Sequence, residues 1–158
     1  ALGANLDDPV AQVCRAVEAL RRLPRARLLR VSSLYRTAPV GVAGQPDFIN
    51  AVAALDTELS ADALLEALLG VENVFGRRRD FHHAPRTLDL DLLLYDNQVI
   101  NTPKLTLPHP RMHLRAFVLA PLLEIAPDCR IPGRGTGAAW LPAVRTQPIT
   151  RLTADNHN

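Results

Sequence analysis

From Leu88 to Tyr95 the chain alternates with a period of two: Leu88, Leu90, Leu92 and Leu94 fall on one face of an extended segment, and Asp89, Asp91, Leu93 and Tyr95 on the other. A strand reads this way when one face is buried, and a one-residue slip in register would drive both aspartates into the core. The pattern therefore fixes where Asp89 and Asp91 point. Spaced i, i+2, their Cα atoms stand about 6.6 Å apart, close enough for both carboxylates to hold one or two hard cations such as Mg²⁺. Just upstream, Arg77, Arg78, Arg79, Arg86, His82 and His83 crowd into ten residues against a single acid, Asp80. That is a patch suited to a polyanion. Taken alone, an aspartate pair at a strand end more often lines a solvated rim, and an arginine run is more often plain surface. Together, with Pro85 stiffening the approach to the strand, carboxylates for Mg²⁺ and guanidiniums for phosphate are what phosphoryl transfer from a nucleotide requires.

At 158 residues the chain reads as one domain, 1–158, able to bury a single substantial core. Its 47% hydrophobic and 22% charged residues are those of an ordinary globular protein, and no apolar run has the length of a membrane span. Ala1-Leu2 read as the end of a first strand that starts upstream, and no signal peptide is visible. Cys14 and Cys129 are too few and too far apart for a disulfide framework, and read as free thiols in a reducing cytoplasm. Cys14 is expected on the buried face of a helix. A net charge of +2 does not argue for a nucleic-acid partner, and a monomer is the expected state.

Asp8 and Pro9 open a helix carrying Val10, Val13, Cys14, Val17 and Leu20 at helical spacing, which Pro24 ends. Leu28 to Tyr35 reads as a strand and Phe48 to Leu55 as the next, with a Pro/Gly-containing loop from Arg36 to Gly44 between them. Ser60 caps a second helix carrying Leu64, Leu65, Leu68 and Phe75, which stops near Gly76. Glu72 falls on its apolar side and reads as a partnered structural acid. After the aspartate strand, Asp96-Asn97 suggests a hairpin turn toward Val99-Ile100 and the extended run Leu105 to Pro108, and a last helix spans about Ala116 to Ala126. The tail beyond Pro132 reads as mostly irregular, frayed from Thr153 to Asn158. Counting Ala1-Leu2 as a strand, the order is strand, helix, strand, strand, helix, strand. That is the α+β, ferredoxin-like βαββαβ core, here with an added hairpin and helix and with the helices packed on a mainly antiparallel sheet.

These residues carry a resemblance. The chain is similar to the 6-hydroxymethyl-7,8-dihydropterin pyrophosphokinases through Ala1-Leu2-Gly3-Ala4-Asn5-Leu6, Ser32 to Thr37, Gln45 to Asn50, Pro85 to Asp91, Pro108-His109, Arg115-Ala116-Phe117 and Glu124 to Pro127. The run Pro85-Arg86-Thr87-Leu88-Asp89-Leu90-Asp91 is the most discriminating of these. The resemblance implies transfer of pyrophosphate from ATP to the pterin hydroxymethyl group, giving AMP and the pterin diphosphate in folate biosynthesis. It also implies two Mg²⁺ ions held by Asp89 and Asp91, with ATP as co-substrate. Arg77, Arg79 and Arg86 match the family's loop arginines, Arg77 and Arg86 among the catalytic residues, and His109 and Arg115 match further phosphate contacts. Phe48 and Phe117 match the rings that sandwich the pterin, and Thr37, Val40 and Asn50 its edge contacts. Adenine is expected against Leu92, Lys104 and Thr106.

The chain departs from the family pattern at His83, where many members carry tryptophan, at Ala38, which replaces proline, and at Pro110, which replaces tyrosine. A less aromatic lid and faster product release are the expected consequence. His82 and His113 read as solvated or loosely phosphate-facing. Two rival readings stand beside the pyrophosphokinase one. The first is a nucleic-acid-binding module, since such sheets bind RNA on exposed aromatics, against which an aromatic content of 4% argues. The second is a catalytically silent nucleotide-binding regulator, against which the intact pair Asp89 and Asp91 with the arginines argues.

Overall fold

A computed structural model of the chain describes residues 1–39, 45–76 and 87–153. Strand β1 (Leu2–Ala4) leads through helix α1 (Pro9–Arg21) to β2 (Ala26–Val31) and β3 (Tyr35–Thr37). The chain returns along β4 (Phe48–Ala51) and β5 (Ala53–Thr57), and α2 (Ala61–Gly76) precedes β6 (Asp89–Leu90). A hairpin of β7 (Ile100–Asn101) and β8 (Thr106–Leu107) and helix α3 (Ala116–Ile125) come next. A second hairpin of β9 (Arg130–Ile131) and β10 (Gly135–Thr136), the short helix α4 (Leu141–Val144) and strand β11 (Thr150–Arg151) complete the order. The main sheet runs β11-β3-β4-β1-β6, every neighbouring pair antiparallel. With β1 between β4 and β6, this is the strand order of a split βαβ unit, and the α+β expectation holds.

Strand pleating gives the sheet two working faces. Leu2, Ala4, Ile49, Ala51, Leu88 and Leu90 join Val13, Ala16 and Leu20 of α1 and Leu64, Leu68 and Val71 of α2 in one apolar core. Residues of the opposite parity lie toward α3, where Val52, Leu93, Val118, Leu122 and Ile125 form a second cluster. Both early helices start as their sequences dictate. The Asp8 carboxylate accepts from Ala11 N with Pro9 in the first turn, and Ser60 Oγ accepts from Ala63 N at 3.1 Å.

Several expectations are corrected. The two long strands each break, into β2 and β3 and into β4 and β5. Ser32 Oγ takes the Val52 N–H at 2.9 Å, so a side chain interrupts the backbone ladder where the two breaks face each other. The aspartate strand covers only Asp89–Leu90, although the pairing runs one step further as Asp91 N donates to Ala1 O at 2.9 Å. Beyond it Leu92 still packs on the α2 side and Leu93 in the α3 cluster, as the alternation requires, but the pattern fails at Leu94 and Tyr95, where Leu94 joins the α3 cluster and Tyr95 returns to the α2 and hairpin residues. Asp96, at φ 48°, does form a turn, but the hairpin it precedes is closed further on, by β7 and β8.

Cys14 is exposed: the buried stripe of α1 is Gln12, Val13, Ala16 and Leu20, and Gln12 reaches back to Asp7 O. The tail is built, not irregular. Gly133 and Gly135 take φ of 77° and 82° to turn β9 into β10, and β11 adds an edge strand through Thr150 opposite Arg36 and Arg151 opposite Tyr35. Thr153 closes the described residues, so the expected fraying at 154–158 lies outside them.

Candidate functional site

One register row builds the floor of a cleft. Tyr35 stands opposite Asn50, Asn50 opposite Gly3, and Gly3 opposite Asp89, so four strands present these residues on the face away from α1 and α2. Gly3 is the low point. A Cβ there would come within 3.2 Å of Asn50 Oδ1, so any side chain would press on that amide and fill the space between Asn50 and Asp89. Asn50 is 5% exposed and Thr37 8%, and Asn50 Nδ2 donates to Thr37 Oγ1 at 2.9 Å. This leaves the Asn50 carbonyl and the Thr37 hydroxyl hydrogen for a ligand edge. Thr37 in turn lies opposite Phe48.

The far wall comes from α3. Arg115 is its N-cap residue, and the guanidinium carbon sits 5.4 Å from the centroid of the Phe117 ring, in cation–π contact. Glu124 sets the spacing between the walls. Its carboxylate accepts from Ser33 N at 2.8 Å, Ser33 Oγ at 3.1 Å and Tyr35 OH at 2.6 Å, which ties β3 and its lead-in to α3. Burial alone would raise the Glu124 pKa, but these hydrogen bonds and Arg151 outweigh it and hold the carboxyl below its ordinary value. Burial, then the bond to Glu124, pushes Tyr35 up to about 12.

The resulting cleft, about 620 Å³, gathers Thr37, Phe48, Asn50, Phe117, Asp89, Asp91 and Arg115 from four separate elements or their flanks. Asp91 is exposed and Asp89 half-buried. Two hard carboxylate donors on one cleft edge fit Mg²⁺, and no cluster of three or more His, Cys, Asp or Glu ligands occurs among the described residues. An ion held there would draw its remaining oxygens from water and phosphate, as Mg²⁺ commonly does.

His109 is not among the residues that line this cleft, but it lies near enough to Asp91 and Arg115 to feel both charges. Its N–H donates to Leu93 O at 2.9 Å, and its Nδ1 accepts from Arg111 N at 3.2 Å, so the neutral ring carries its proton on Nε2. Burial lowers its pKa; the Asp91 charge opposes this and Arg115 and Arg111 add to it. A neutral donor beside Asp91 and Arg115 is the result.

Leu92, Lys104 and Thr106 do not line the cleft. Leu92 faces a second, largely aliphatic cavity of about 350 Å³, Lys104 Nζ pairs with Glu66 of α2 at 2.6 Å, and Thr106 is exposed on β8. Val40, Arg77, Arg79 and Arg86 lie outside the described residues, as do His82 and His83. Glu72 is structural in the way expected, but through a backbone partner: its carboxylate accepts from Leu90 N at 2.7 Å, holding edge strand β6 to α2. His113 is not solvated. It is 4% exposed, edge-on to Trp140 at 4.7 Å, and burial lowers its pKa.

Gly3, Leu114, Gln147 and Pro148 line the cleft without having been singled out in the sequence. A glycine inside an apolar strand is a recognisable signal of close approach. Nothing local marks Gln147.

A profile of the family described as 7,8-dihydro-6-hydroxymethylpterin-pyrophosphokinase matches residues 1–127. Relatives named 2-amino-4-hydroxy-6-hydroxymethyldihydropteridine pyrophosphokinase include one from Pseudomonas aeruginosa, 52% identical over 96% of this chain and 94% of its own length. Another, from Haemophilus influenzae, is 48% identical over 84% of this chain and 82% of its own. One from Bacillus subtilis is 43% identical over 79% and 75%.

Proposed function

The chain belongs to the 7,8-dihydro-6-hydroxymethylpterin-pyrophosphokinase family and is a transferase of the pyrophosphokinase class in folate biosynthesis, and from that premise we propose how its own residues divide the work. The pterin ring lies between Phe48 and Phe117, its polar edge against the Asn50 and Thr37 pair. Stacking supplies affinity, and the buried amide and hydroxyl select a heterocycle with matching donors and acceptors. Val40 adds an edge contact. The hydroxymethyl group is thereby placed over Gly3, toward Asp89 and Asp91.

The triphosphate of ATP occupies the open end. Arg115, neutral His109 through its Nε2 proton, and Arg77, Arg79 and Arg86 spread its negative charge, while adenine rests near Leu92, Lys104 and Thr106. Asp89 and Asp91 hold two Mg²⁺ ions, which when bound neutralise phosphate charge and lower the cost of the developing negative charge. The pterin hydroxyl oxygen attacks the β-phosphorus in line. A new O–P bond forms, the bond from the β-phosphorus to the bridging oxygen of the α-phosphate breaks, AMP leaves with that oxygen, and the hydroxyl proton is released. The residues act by positioning and electrostatics, with no covalent intermediate on the protein.

We take residues 1–158 as one monomeric catalytic domain at work in the cytoplasm. In support of a single domain, Gln147 and Pro148 of the tail line the same cleft as the first strand. The observation that carries the proposal is the meeting of Thr37, Phe48, Asn50 and Phe117 with Asp89, Asp91 and Arg115 in a single cleft. Mixing the protein with ATP, Mg²⁺ and 6-hydroxymethyl-7,8-dihydropterin, and following nucleotides by phosphorus NMR, tests it. AMP formed only with pterin and lost in Asp91→Ala is expected; ADP as product would overturn the pyrophosphoryl-transfer route.

A further inference from the structure

Gln147 lies beyond residue 127, where the family match ends. Its side-chain amide grips the backbone on both sides of Arg115: Nε2 donates to Leu114 O at 2.9 Å and Oε1 accepts from Ala116 N at 2.9 Å. The Ala116 N–H opens α3 and is one of the donors that no carbonyl inside the helix can satisfy. Arg115, the N-cap residue, makes no side-chain capping bond. Gln147 therefore supplies the cap from 31 residues away in sequence.

Its own placement is fixed on both sides. Gln147 N donates to Val144 O at 2.9 Å. Shortly after, β11 pairs with β3, and Leu152 N donates to Leu34 O at 2.8 Å. One side-chain amide thus spans the two peptide units flanking Arg115 and holds that residue extended, at φ −125° and ψ 118°. With the Cα–Cβ direction set, only the rotamers of Arg115 remain free.

We infer that Gln147 is a positioning residue that aims Arg115 at the nucleotide phosphates, an inference that rests on the reading of Arg115 as a phosphate contact. The rival is that Gln147 only fastens the tail to α3. The two differ in a double-mutant cycle. Affinity for a non-hydrolysable ATP analogue with Mg²⁺ is measured by calorimetry for the wild-type chain, Gln147→Met, Arg115→Ala and the double variant. Gln147→Met keeps the volume and loses both hydrogen bonds, and is expected to weaken binding about tenfold. The double variant should bind no more weakly than Arg115→Ala alone.

Losses that multiply in the double variant would overturn the inference, as would a Gln147→Met affinity within twofold of wild type beside a weakened Arg115→Ala. Unchanged affinity in Arg115→Ala would instead remove the phosphate assignment itself, and the inference with it. Should Gln147→Met not fold, Gln147→Glu keeps the acceptor for Ala116 N and loses the donor to Leu114 O, and the same cycle applies.

Discussion

The two ends of the cleft are built on different principles. At one, Asn50 and Thr37 are almost fully buried and already hydrogen-bonded to each other on adjacent strands. At the other, Asp91 is exposed, Asp89 is half-buried at the edge strand, and Arg115 is held by a glutamine from the tail. A flat heterocycle of fixed shape can be met by a rigid, dry surface, whose groups lose little freedom on binding. A triphosphate with its ions cannot be treated that way, because carboxylates crowded in a dry site repel one another until cations arrive. Under the proposed assignment the pterin end is preorganised and the phosphate end stays open to water.

The sharpest break in that contrast comes from Asp89→Ala. It should abolish AMP formation, by roughly a thousandfold or more if the carboxylate holds catalytic Mg²⁺, while pterin affinity in the absence of nucleotide changes little. A turnover assay paired with pterin titration checks it, and a mutant that retains full turnover would show that this end does not depend on its carboxylates.

At the opposite end Asn50→Ala strips the buried Thr37 hydroxyl of its partner. Pterin affinity should fall by about 10- to 100-fold and stability by about 1–3 kcal/mol. Nucleotide affinity should hold. Equal losses for both ligands in calorimetry would mean that the two ends are not separate.

The smallest effect concerns the tie between the walls. Because the folded Glu124 carboxyl is held below its ordinary value of 4.5, it adds stability that is fully present above that pH and is lost as pH falls through the lower folded value. Denaturant melts of the wild type and Glu124→Gln should therefore differ by about 1 kcal/mol near neutral pH and converge in acid below 4.5. A gap that persists at the acid end would assign the loss to packing instead of charge.

Much of this was legible in the sequence because it is local. The caps at Asp8 and Ser60 need only the neighbouring backbone, and alternation around Leu88, Asp89 and Leu90 places one aspartate outward whatever the sheet partner turns out to be. The breaks in β2–β3 and β4–β5 were not legible, since the hydroxyl of Ser32 meets Val52 only when two strands twenty residues apart are side by side. Cys14 was misplaced for a related reason: α1 offers two plausible stripes, and the packing partners chose the one through Gln12.

The sequence by itself determined the α+β order, the face on which the aspartates stand and the residue types suited to a pterin and a polyphosphate. Only the tertiary structure decided that Gly3 is the floor between Asn50 and Asp89, that Glu124 spaces the walls, and that a tail poor in local signals supplies the cap of α3. The physical reason is the reach of the interactions. Periodicity and capping act within a few residues, whereas a cleft is made of contacts whose partners are set by strand order, and strand order is the outcome of burying both faces of the sheet at once.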